Sequence, residues 1–182
     1  MPPPGPRQDS AVAAGPAPDP ARLDGTNINP VTGLATDFLN HFNEAIMLLE
    51  LLPTAPDCKE DVLAWRPMSY PEHFAASHFK HRDLAIAAYE TADPVFRRRL
   101  DEIANQMNQI LTATLEGLKG DLSHQTIRIL AEATAHWLRP LVARAGAVIN
   151  GERAAVRPMD EAAPQDAVDA LFDQTVESVF HC

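Results

Sequence analysis

Three histidines occupy positions where helical periodicity would turn imidazoles toward apolar neighbours. His41 lies between Phe38 and Ala45, and His78 and His81 share a stripe with Phe74 and Ala85. Residues three apart lie on one helix face, so the His78 and His81 rings could reach a single ion. Glu44, one turn after His41, adds a carboxylate. Two antiparallel helices carrying these groups would offer three imidazoles and one oxygen. That donor set suits zinc, iron or nickel, with a position left for water when only three groups bind. The expected metal ligands are therefore His41, Glu44, His78 and His81, and the expected ion is a transition metal, zinc or iron first. An ion held this way would acidify a bound water or polarise a substrate oxygen.

The competing reading of a histidine on an apolar face is a partly buried ring whose nitrogens bond to nearby carbonyls or carboxylates. Asp37, Asn40, Asn43, Glu44 and Asp83 are close enough in sequence to serve. His136 forms a second i, i+4 pair with Glu132 beside Pro140, and its first reading is structural. His73 reads as a surface residue in a first helical turn; His124 and His181 receive no role. A phosphate-accepting histidine on a helical bundle would have to be exposed, which does not suit His41 in its apolar stripe. The basic runs Lys80–Arg82 and Arg97–Arg99 are interleaved with Asp83, Asp101 and Glu102, which makes them a solvated, salt-bridged face. No phosphate-binding glycine loop, nucleophile elbow or H-E-x-x-H pair occurs, and the two Glu-x-x-His motifs of a di-iron bundle are missing.

The elements that would position these side chains are helices throughout. Apolar residues from Leu34 to Leu52 recur on two adjacent stripes, predicting a first helix from a cap at Asn29 and Pro30 to a stop at Pro53. Asp57–Trp65 reads as a short helix. Ser69 and Glu72 have the spacing of a capping box with Pro71 in the first turn, and the helix that follows is expected to run to about Thr91. Asp93 and Pro94 open a long amphipathic helix ended by Gly120. Asp121 or Ser123 caps the next, whose core stripe includes Ile127, Ala131, Leu138 and Leu141, with Thr134 bonding one turn back. That helix stops at Asn150 and Gly151, with Pro140 expected to kink it. A last helix is expected over about residues 164–180. No stretch alternates with period two. The fold class is all-α: an antiparallel helical bundle of four principal helices plus shorter ones, behind a disordered N-terminal tail. Residues 1–29, rich in proline and alanine, form the tail, and residues 30–182 the single bundle domain.

The chain has 182 residues, 46% of them hydrophobic, which is enough for a core. Its formal charge of −10 argues against nucleic acid and against an anionic membrane surface as partners. No run approaches the ~18 apolar residues of a membrane span. Cys58 and Cys182 form no motif, and with no export signal the expected setting is a reducing cytoplasm. These features favour a small bundle in a regulatory or accessory role that acts through a protein partner or as a homodimer. The stripe Phe172, Val176 and Phe180 is the expected contact. The alternative is the metal-binding bundle, with or without enzymatic activity.

Overall fold

The structure, a computed structural model, describes residues 19–156. Every regular element among them is helical, and extended pairing is limited to an isolated bridge between Ile28 and Ala35. The helices are α1 (Asn40–Leu51), α2 (Lys59–Ala64), α3 (Tyr70–Ala76), α4 (Arg82–Thr91), α5 (Pro94–Leu118) and α6 (His124–Ile149). The expected helix over 164–180, with its Phe172, Val176 and Phe180 stripe, and Cys182 lie outside the described residues.

The two long helices form as their sequences dictate. Asp93 accepts from the Val95 N–H at 2.8 Å, and Pro94 follows it at the start of α5. Ser123 accepts from the Thr126 N–H at 3.1 Å to open α6. At the other end of α6, Gly151 takes φ +83, its N–H bonds the Val148 carbonyl and the Glu152 N–H bonds that of Ala147. This pair of bonds needs a left-handed residue and absorbs carbonyls the helix cannot satisfy itself. α6 packs against both α5 and α1, and α3 against α4. α5 and α6 bury Leu100, Ile103, Met107, Leu111, Leu138 and Val148, none more than 1% exposed. Each such side chain contributes on the order of 1.5–3 kcal/mol through burial. Within this apolar layer the Thr114 and Thr134 hydroxyls meet at 2.9 Å, and each also reaches the carbonyl four residues back.

One expected helix boundary is corrected here. The first helix does not begin at Pro30. Asn29 Oδ1 accepts from the N–H groups of Val31 and Thr32, so it caps a turn. Gly33, at φ +71, closes that turn by donating to the Asn29 carbonyl. A 3-10 turn at Thr36–Leu39 leads into α1 only at Asn40. Before that turn, Leu23 and Ile28 are buried in the core.

The single helix expected from Ser69 to Thr91 is two helices. The capping box forms: Glu72 N–H donates to Ser69 Oγ, and Glu72 Oε2 accepts from the Ser69 backbone and hydroxyl. The break comes at Ser77, whose hydroxyl donates to the Phe74 carbonyl at 3.0 Å and accepts from the Phe79 N–H at 3.2 Å. A serine side chain that supplies both bonds offers the backbone an alternative to the helix. The chain turns there and resumes helical geometry at Arg82.

Candidate functional site

The break decides where the expected ligands go. His78 lies exposed in the connection between α3 and α4, and His81 is the residue that precedes α4. They no longer share a helix face, so the i, i+3 argument that paired them does not apply. His81 packs edge-on against Phe79, centroids 6.0 Å apart. His41 and Glu44 do lie on α1, the first buried and the second exposed. Among the described residues no three His, Cys, Asp or Glu side chains stand ready in a metal-holding arrangement.

A different group gathers around His41. The residue is 6% exposed, and its ring lies nearly parallel to the Trp65 indole, centroids 4.7 Å apart at 21°. Trp65 ends α2, and its Nε1–H donates to the His41 backbone carbonyl at 3.2 Å, which fixes the indole in place. The opposite neighbour is His73 of α3, 5.8 Å from His41 between centroids. His73 also packs against Phe38 and Phe74. Asp37, one turn before His41, bonds His73 through its backbone, and both Asp37 and Glu44 lie close enough to act on the His73 charge. Tyr70 secures the base of the group: its hydroxyl accepts from the Ala35 N–H at 2.8 Å.

Two buried acceptors in this group have no protein partner: His41 Nε2 and Asp37 Oδ2. The His41 ring does bond the Arg66 backbone through its other nitrogen, so Nε2 is the one left over. Burial, reinforced by the neighbouring His73 and opposed by the Arg66 backbone, pushes the His41 imidazole down to about 4. Burial likewise lowers His73, against the pull of Asp37 and Glu44. Near neutral pH both rings are therefore uncharged, the state in which an imidazole nitrogen can accept a hydrogen bond or ligate an ion. A neutral His41 of such low basicity is a poor general base, so the arrangement favours binding over proton abstraction.

The rest of the surroundings adds little space. Beside Trp65 a small apolar recess is lined by Ala45, Leu48, Leu49, Val62, Leu111 and Leu115. It has room for little more than a water molecule, far below the ~300 Å³ at which small-molecule pockets begin. His136 is exposed, and Glu132 pairs with Arg128 at 3.1 Å in place of it. His124, given no role from sequence, bonds the Pro53 carbonyl through Nε2 at 2.9 Å.

Sequence reasoning missed His73 and the part played by Trp65. The signal for His73 was present: Tyr70, His73 and Phe74 are spaced i, i+3, i+4 from a well-marked cap, which puts His73 on the buried face of a short helix. Comparison with known protein families, with curated proteins and with solved structures gives no match.

Proposed function

We propose that this chain is a helical binding protein whose guest is taken up at the niche framed by Asp37, His41, Trp65 and His73. The observation that carries the reading is His41 Nε2, an atom without a hydrogen-bond partner in a residue 6% exposed. Leaving such an atom unpaired costs about 1–3 kcal/mol, a penalty a bound guest would relieve. The four longer segments α1, α4, α5 and α6 are proposed to pack in an antiparallel bundle that holds the niche at the start of α1. The contacts from Leu39 to Gly146 and from His124 to Pro53 support opposite directions for α1 and α6. A buried free Cys58 suits a reducing cytoplasm, and the charge of −10 favours guests and partners other than nucleic acid.

The test is a ¹⁵N imidazole spectrum of the full chain, as purified from cells and again after unfolding and refolding in clean buffer. The expected result is a bare-acceptor signal for His41 Nε2 after refolding and a shifted one before it. Identical spectra would mean that His41 carries no guest from the cell.

A second reading, action through protein contacts, is favoured by Met47 and Leu51. They are one turn apart on α1, 59% and 46% exposed. Replacing both with glutamate should leave the fold intact and abolish any self-association seen by sedimentation. A wild-type chain that sediments as a monomer at high concentration would remove the homodimer form of this reading.

A further inference from the structure

We infer that the groove between α5 and α6, on the side turned away from α1 and α2, is the docking site for residues 164–180 of this same chain, packed as a helix antiparallel to α6. The groove is a face that the described helices leave uncovered. α1 and α2 lie over the Leu111 and Leu115 side of α5, where they frame the recess beside Trp65. α4 meets α5 through Tyr89 and Asp101, about a third of a turn around the helix from Ala113. On α6, Leu39 at the start of α1 lies against Gly146. Trp137 is nine residues from Gly146, which at about 100° per residue puts it on the opposite side of α6. Among the described residues, α1 and α2 are the helices packed substantially against the α5–α6 pair.

The uncovered face is apolar. By helical spacing its floor is Ile110, Leu130 and Leu141, 6%, 9% and 7% exposed, and its walls are the half-buried Ala113, Ala133 and Trp137. The chain itself leads into one end of it. After the turn at Gly151, the Ala155 carbonyl accepts from Arg99 Nε of α5 and from Arg144 Nε of α6, each at 3.4 Å. Ala155 and Val156 pack against the core there. Arg144 is two turns from Trp137 and Arg99 four turns from Ala113, on the same stripes. Residues 157 onward therefore start at the mouth of the groove. From Arg144 to Leu130 the groove runs about 21 Å, and a helix over 164–180 is about 25 Å long at ~1.5 Å per residue.

The segment has the chemistry the groove asks for. Val168, Leu171, Phe172, Val176 and Phe180 recur at helical spacing. After Arg157 come Asp160, Glu161, Asp166, Asp169, Asp173 and Glu177, and no lysine or arginine. At the mouth, the Arg99 and Arg144 guanidinium groups converge on one carbonyl, with the exposed Arg98 and Arg153 next to them in sequence. Glu102 and Glu152 lie there too, which leaves the mouth positive and suited to an acidic segment. The tether keeps this chain's own segment at the mouth at high effective concentration, an advantage over a second copy. The Phe172, Val176 and Phe180 stripe then meets α5 and α6 of its own chain in place of a homodimer partner.

The experiment uses the full chain with Cys58→Ala, which leaves Cys182 as the single thiol for a nitroxide spin label, and reads the amide signals by NMR. Broadening is expected at Gly117, Thr126 and Leu130, at the far end of the groove, and not in α3 or at the start of α1. Broadening centred on α3 or on the Met47 and Leu51 side of α1 overturns the inference, as does the lack of any localised broadening. A mixture of ¹⁵N-labelled Cys58→Ala, Cys182→Ser chain with unlabelled, spin-labelled chain separates the two possible sources of the segment. Broadening of the labelled copy there would mean that a second copy fills the groove, and docking within one chain falls. Phe172→Asp with Val176→Asp should abolish the broadening within one chain and make Trp137 more accessible to acrylamide, with Trp137→Phe identifying its share of the fluorescence. The amide spectrum of α1 checks that this variant is folded. Broadening and quenching unchanged by the two aspartates would overturn the apolar docking.

Discussion

At the scale of single residues, His41 couples folding to pH. Its imidazole sits near 4 in the folded chain, against about 6.5 in an unfolded one. The unfolded chain therefore binds more protons between those values, and stability is lost as pH falls from about 6.5 to about 4. The loss attributable to His41 is at most about 3 kcal/mol. Urea unfolding of chelator-treated protein at pH 7 and at pH 4 should show that loss, and His41→Asn should lose less between the same two pH values. His73, lowered in the same direction by burial, adds to the wild-type slope. Equal slopes in wild type and variant would mean that His41 does not titrate in this window. His41 as an inward-facing residue was legible, because Phe38, Ala45 and His41 follow helical spacing. The partner across the niche was passed over because a first-turn position reads as surface, although the spacing of His73 from Tyr70 and Phe74 marked it as facing inward.

At the scale of elements, caps carried more information than length. The boxes and caps at Ser69, Asp93 and Ser123 and the stop at Gly151 form where the residue chemistry puts them. What periodicity concealed was the interruption at Ser77, since Phe74, Ala85 and Ala88 remain on a helical stripe whether or not the chain turns between them. The same applies to Pro30, which opens a turn as readily as a helix. α3 depends on its cap more than a long helix would. Ser69→Ala should destabilise the protein by about 1 kcal/mol and raise the Glu72 carboxyl, which Ser69 holds below its ordinary range. Urea midpoints and a carboxyl titration by NMR check both effects, with Ser69→Thr expected to restore them.

Between α5 and α6, the hydroxyls of Thr114 and Thr134 have two protons for three short contacts. One contact is always without a proton, so either hydroxyl is dispensable. Thr114→Val and Thr134→Val should each cost no more than about 1 kcal/mol. The double variant should cost less than their sum, which a double-mutant cycle in urea would measure.

At the scale of the whole molecule, the segment before α1 ties the ends of the fold together. Thr32 donates through its hydroxyl to the Ile149 carbonyl at the end of α6, at 2.7 Å. Gly33 passes against α4, where an added Cβ would stand 3.0 Å from the Ala88 carbonyl. Its φ of +71 already disfavours any other residue. Gly33→Ala should therefore destabilise by at least about 1–2 kcal/mol, read from the thermal midpoint. An unchanged midpoint would show that this segment does not brace the helices.

The hydrogen bond from the Ala35 amide to Tyr70 has a consequence for isotope exchange. Ala35 precedes any regular helix, yet its N–H is sealed beneath a phenol that is 1% exposed. Backbone amides in such stretches usually trade deuterium within moments of dilution. This one should hold its proton as long as the slowest positions of α5 and α6, forming a protected island outside the helices. Tyr70→Phe keeps the ring and removes the acceptor, so it should release that single amide to solvent well ahead of its neighbours.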